Sequence, residues 1–373
     1  MNILFPALAK EPTLIKINEC FNQDFKQNYI YGLAGSQKHI VIANAYRQNP
    51  KTTIIITNNQ DDIEEWYSDL TSLLPDITIW ELPALDVMSV SATAKSLELT
   101  ARRMKVLGLL TRKEPAIILV TASAAMQKDM SRQDFENASI QLELNKEYEH
   151  EKILGQLVTL GYEHVDKVEQ LGQFSARGGI IDIFPINSDV PLRIEFFDTE
   201  IESIREFDID SQRSLKSIAK CEILPLMQMD NTGTPSIFLS YLTKDCNVIL
   251  DEPLHLKDEI NGNIKENPEV KEFVYDWNYI LTAAKKHNVM YVSLMMQRIP
   301  DTEPENLISV AVKSTAPFQK QMHLLGEEIK NWLEQENEIL ICLGDQSKIK
   351  YLQDVLEQQK IAVSHTKKSY RII

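Results

Sequence analysis

Residues 172–185 read GQFSARGGIIDIFP, and residues 191–208 read PLRIEFFDTEIESIREFD. The pair Gly178-Gly179 is a hairpin-turn signal between two runs of strand character. In Leu192–Phe197 a period of two places Leu192, Ile194 and Phe196 on one face and Arg193, Glu195 and Phe197 on the other. Exchanging the faces would bury Arg193 and Glu195, which is costly unless both are paired. From 168 to 208 the chain is rich in β-branched and aromatic residues, with short turns and no helical period. Behind a helix near 151–160, this stretch predicts a small α+β unit of antiparallel strands.

Outward on the N-terminal side the pattern changes. Thr52–Thr57 (TTIIIT) is continuous and β-branched, as in a strand buried on both faces. Ile63, Trp66, Tyr67, Leu70 and Leu74 then recur at helical spacing until Pro75. A strand at 77–80, a helix carrying Leu97, Ala101, Met104 and Leu107, and a strand at 116–120 (AIILV) follow. On the C-terminal side, strands at 247–250 and 289–294 flank a helix expected over 270–286. Strands alternating with helices argue for βαβ units and a mainly parallel sheet. Beyond the Pro- and Glu-containing link at 300–305, helices at 324–333 and 349–358 and strands at 339–343 and 361–363 suggest a further α/β unit. That unit is expected to be truncated before it could close a sheet.

The segment Gly32-Leu-Ala-Gly35-Ser-Gln37-Lys38-His39 lies just before a helix, where a phosphate-binding loop would sit. A working loop needs glycine at its first and sixth positions, then Lys, then Ser or Thr. Gly32 and Lys38 fit, but Gln37 replaces the second glycine and His39 the magnesium-holding hydroxyl, so a non-functional loop is expected. Asp251-Glu252, after an apolar strand, is placed like a magnesium-positioning pair, but an ordinary polar strand end with a helix cap is the favoured reading.

Composition narrows the function further. Acidic residues outnumber basic ones 54 to 39, a net charge of −15, which disfavours a broad DNA-gripping surface. Only 12 glycines occur, where average usage gives roughly twice that, so few phosphate-cradling loops are available. Cys20, Cys221, Cys246 and Cys342 show no paired spacing of the kind zinc sites use, and four isolated thiols fit a reducing cytoplasm. The seven histidines form no ligand cluster, and no nucleophile, base and orienter set is visible, so no metal and no cofactor is expected. No apolar run approaches a membrane span, and the start MNILFPALAKEP lacks the features of a secretory signal.

The two central stretches, followed by Ser211-Gln-Arg-Ser214, resemble the second domain shared by the excinuclease B subunit and the transcription-repair coupling factor. The flanking α/β segments, including 101–111 leading into 116–121, resemble the split first domain of the same family. Together the resemblance covers most of residues 20 to 320. It implies an α/β fold in which residues 1–138 and 222–305 form a helicase-like parallel-sheet domain. Residues 139–221 would be the α+β insertion, and 306–373 the start of an additional, truncated α/β domain. In the family the second domain binds the excinuclease A subunit through two arginines and an aromatic. These fall on Arg177, Arg193 and Phe197, and the last two lie on the face that alternation had set apart. Spacing alone fits a solvated strand face as well as an interface.

Two departures separate the relatives. The B subunit is an ATP-driven helicase with an intact phosphate loop and an aromatic-rich DNA hairpin. Here the loop is broken, and residues 82–100 contain no aromatic. Both departures match the coupling factor. The resemblance therefore implies a cytoplasmic, non-catalytic module for the A subunit, with RNA polymerase and DNA bound through regions absent here. The alternatives are an excinuclease-B-like ATP-dependent helicase and a scaffold whose insertion packs only within a larger protein.

Overall fold

The computed structural model describes residues 4–24, 26–85, 97–112, 114–226, 235–312, 318, 321–337, 339, 341 and 346–362. Seven strands form a parallel sheet in the order Asn306–Ser309, Gln27–Tyr31, Asn288–Ser293, Cys246–Asp251, Thr52–Thr57, Ile117–Thr121, Ile79–Leu82. The run TTIIIT lies inside this sheet for a simple reason. Ile54 and Ile56 enter a buried cluster with Ile118, Val120, Val248 and Leu250, while Ile55 enters the opposite one with Ile117, Leu119 and Ile249. Both faces are covered, so the strand shows no polar alternation.

Helix Gln60–Leu73 packs on one of these faces through Ile63, Trp66, Leu70 and Leu73. The Asn59 side chain accepts the Asp62 N–H, and Asp61 and Asp62 occupy the positive first turn. The helix ends two residues before Pro75. The strand expected at 77–80 lies two residues later, at Ile79–Leu82.

The insertion is a six-stranded sheet in the order Ser214–Ser217, Glu200–Phe207, Leu192–Phe197, Ile180–Ile183, Gln173–Arg177, Glu163–His164. Its pairings are antiparallel except the last. Phe174, Ile181, Ile183, Leu192, Ile194, Ile201 and Ile204 point inward and join the buried cluster that holds Leu107, Val120 and Phe238. The inserted sheet thus shares a core with the parallel one. Residues 172–208 form antiparallel strands as expected.

Elsewhere the structure departs from the reading. The helix expected over 270–286 is a 3-10 turn, Pro268–Glu272, followed by the shorter helix Trp277–Ala284. Between them Val274 bridges Gln127 and the Tyr275 N–H donates to the Met126 carbonyl, so a distant backbone holds these residues extended. The Asp276 side chain then caps the new helix. Strand Asn306–Ser309 pairs with Gln27–Tyr31, so the parallel sheet runs to residue 309. Helices Met322–Glu334 and Gln346–Gln358 meet through a separate small cluster of Ile329, Leu356 and Ile361. The strand expected at 339–343 falls mostly outside the described residues, and 361–362 is not strand. No described helix is long and apolar enough to cross a membrane.

Candidate functional site

The hairpin at Gly178-Gly179 sets the edge of the candidate face. Gly178 has φ 59°, a conformation that favours glycine. A Cβ on Gly179 would lie 2.8 Å from the Phe196 carbonyl oxygen, and the Phe196 N–H donates to the Gly179 carbonyl at 2.8 Å. The turn therefore packs backbone to backbone against the end of Leu192–Phe197. Phe196 turns inward, its ring edge-on to His150 at 5.3 Å, and Phe197 turns outward with 76% of its surface exposed.

Strand register fixes the rest of this face. Arg177 opposes Ile180 and Ile180 opposes Glu195, while Asp182 opposes Arg193 and Arg193 opposes Arg205. The Arg193 guanidinium forks onto Asp182, with Nε donating to Oδ1 at 2.7 Å and Nη2 to Oδ2 at 2.8 Å. The bidentate carboxylate raises the Arg193 pKa, against a smaller opposing effect of burial. The guanidinium carbon sits 4.8 Å from the centre of the buried Phe207 ring. Arg205 forms an ion pair with Glu195, which also accepts the Ser203 hydroxyl at 2.8 Å. Arg177 is exposed and donates to the Asp166 carbonyl; among the described residues it meets no carboxylate. The face thus carries two internally paired arginines, one arginine on a backbone carbonyl, and the exposed Phe197 beside a partly exposed Ile180. Asp182 and Glu195 matter as much here as the arginines. Sequence reasoning missed Asp182, whose only signal is a period-two place opposite Arg193 once the register is known.

The loop at 32–39 is built differently. Gly32 has φ 94°, and a Cβ there would collide with the Val310 carbonyl. The Gln37 side chain folds back and accepts the Ala34 N–H at 2.9 Å. Lys38 forms an ion pair with Asp251 at 2.6 Å, and the same carboxylate oxygen accepts the Trp66 indole N–H at 2.8 Å. His39 is buried, bonded through Nδ1 to Asp69 at 2.6 Å, with its ring 4.1 Å from that of Trp66. Burial pushes the imidazole below the ordinary histidine range, against the pull of Asp69. Glu252 adopts a left-handed conformation, φ 51°, and its carboxylate accepts the Leu294 N–H at 2.7 Å. The lysine, the amide and both carboxylates are each engaged by protein groups. Gly35, also in this loop, has φ 50° and no crowding at its α-carbon.

Among the described residues no cluster of His, Cys, Asp or Glu could hold a metal ion. Cys20, Cys221 and Cys246 are free and buried; burial pushes the Cys20 thiol up to about 11 and Cys221 up to about 12. Such thiols are poor nucleophiles and poor ligands.

The architecture is therefore a parallel α/β sheet interrupted by a small, mainly antiparallel sheet whose outer face is charged and aromatic. Residues 140–228 match the family model described as the UvrB interaction domain, which bears out the resemblance read from residues 172–208. The chain is similar to the transcription-repair-coupling factor of Bacillus subtilis (strain 168), 24% identical over 416 residues, covering 92% of this chain and 35% of that protein. It is similar also to the transcription-repair-coupling factors of two Staphylococcus aureus strains. That of strain bovine RF122 / ET3-1 is 24% identical and that of strain Mu50 / ATCC 700699 is 23% identical, each over 97% of this chain and 37% of the relative. The chain spans little more than a third of the length of these curated relatives.

Proposed function

We propose that this chain is a non-catalytic docking module of transcription-coupled nucleotide excision repair, recruiting the excinuclease A subunit through the outer face of its inserted sheet. The observation that carries this reading is the position of Phe197. A large aromatic exposed over 76% of its surface, on the sheet face that also carries Arg177, Arg193 and Arg205, lies within the segment that matches the UvrB interaction domain. Aromatic and arginine side chains are the residues most enriched at the energetic centres of interfaces. Arg177, Arg193 and Phe197 are the proposed contacts. In this reading residues 1–138 and 222–305, with the edge strand Asn306–Ser309, serve as the scaffold, 139–221 as the docking domain, and the residues after that strand as the beginning of a further unit.

The loop at 32–39 supports the absence of ATPase work. A nucleotide would have to displace Asp251 from Lys38 and the Gln37 side chain from the loop backbone, and would find His39 where a magnesium-holding hydroxyl is needed. We place RNA polymerase and DNA contacts outside this chain and the module itself in the cytoplasm. The test is a titration of purified excinuclease A subunit against the chain and against its Phe197→Ala variant. Specific binding that is lost in the variant is expected. Equal binding by both proteins would remove the site, and no binding by either would remove the function.

A further inference from the structure

We infer that Asp182 is a positioning residue of the docking face, holding the Arg193 guanidinium in the orientation in which a partner meets it. The inference rests on the docking reading above and adds a residue to it. Asp182 and Arg193 are register partners on neighbouring strands, so the backbone brings them together. Both Asp182 oxygens are used, one by Nε and one by Nη2. Behind the fork lies the Phe207 ring, and the Gln212 side-chain oxygen stands 3.5 Å from Nη2. These contacts leave Nη1, which donates to no group among the described residues, as the edge available to a partner.

An arginine on an open strand face would sample many rotamers, and binding would have to freeze it. Here the fork and the ring have already frozen it. Arg193 is accordingly only 22% exposed and Asp182 17%, although both lie on the solvent side of the sheet. A fork also fixes the guanidinium plane, which a single hydrogen bond would leave free to rotate. The arrangement is that of a preset donor for an acceptor on the partner. Arg177 has no such carboxylate among the described residues and contrasts with it on the same face.

A double-mutant cycle on the full chain tests this, with purified excinuclease A subunit as the probe and circular dichroism as the fold check. Asp182→Asn keeps the side-chain shape and removes the charge-assisted fork. It should weaken binding about three- to tenfold, the cost of re-ordering one long side chain. In an Arg193→Ala background the same change should have no further effect, because Asp182 acts through Arg193. Equal losses in both backgrounds would show that Asp182 only supports the sheet, and would overturn the inference. Unchanged or tighter binding by Asp182→Asn would overturn it as well, since the carboxylate would then be inert or masking. Binding insensitive to both Arg193→Ala and Phe197→Ala would instead sink the docking reading itself, and this inference with it.

Discussion

Lys38 and Asp251 lie 213 positions apart in sequence and form an ion pair at 2.6 Å, joining the first turn of helix Ser36–Gln48 to the end of strand Cys246–Asp251. In a working phosphate loop the lysine would face a nucleotide. Here the protein supplies the anion itself, and the chain on either side of the insertion is tied together by it.

Removing the cation should therefore cost stability rather than activity. Asp251 is 2% exposed, and Lys38→Ala leaves its carboxylate with the Trp66 indole as the remaining partner. A loss of about 1–3 kcal/mol in unfolding free energy is expected, measured by urea titration. ATP with magnesium at ~1 mM should leave the wild-type Tm unchanged. A micromolar site would add about 4 kcal/mol under those conditions, a shift that calorimetry would readily detect.

Stability should also fall on acidification through the histidines. Burial lowers the pKa of both His39 and His287 in the folded state. The unfolded chain, with ordinary histidine pKa values near 6.5, binds protons first as pH drops. Their contribution is therefore fully present above about pH 6.5 and is lost as pH falls through the folded pKa. The decline should be shallower in His39→Asn than in the wild type between pH 6.5 and 5. An unchanged slope in that variant would count against His39 as a source.

The most deeply buried ion pair among the described residues makes a stronger demand. Arg103 and Asp129 are both 0% exposed; Arg103 forks onto Asp129 at 2.8 Å through Nε and Nη2, and its Nη1 donates to the Pro83 carbonyl at 2.7 Å. Arg103→Ala removes the bidentate cation from a fully buried carboxylate and should destabilise by about 3–5 kcal/mol. Replacing both partners with apolar residues of similar volume should cost far less. A single-variant loss below 1 kcal/mol would show that Asp129 finds other support.

What the sequence displayed and what it hid follow from the range of the forces involved. The period of two in Leu192–Phe197 is local, and it separated the buried Leu192 and Ile194 from the exposed Phe197 before any fold was known. Continuous apolar runs likewise marked the sheet strands Thr52–Thr57 and Ile117–Thr121, with a one-residue error in the second. The break in the helix expected at 270–286 was hidden, because it is imposed by Gln127 and Met126 from far away in the chain. Strand Gln27–Tyr31 was hidden because its sequence, QNYIY, mixes polar ends with aromatics. The Asp182–Arg193 fork was hidden for the same reason as the Lys38–Asp251 pair: each depends on a register that no single segment encodes.

That fork changes what substitutions on the proposed docking face should do. Phe197 has 76% of its surface in solvent, so Phe197→Ala should leave the Tm within about 1 °C while weakening excinuclease A subunit binding by about 2 kcal/mol, near thirtyfold. Arg193→Glu should abolish binding by setting a like charge against an acidic partner group. Unlike Phe197→Ala, it should also lower the stability of the inserted sheet. The new carboxylate would face Asp182 across the strand pair, with Glu195 two residues along. The choice of control follows from this. Arg193→Gln keeps a donor for Asp182 and removes the charge, and it should bind weakly while melting close to the wild type. If Arg193→Gln binds as well as the wild type, Arg193 contributes no charge to docking, and Arg177 with Phe197 would carry the interface alone.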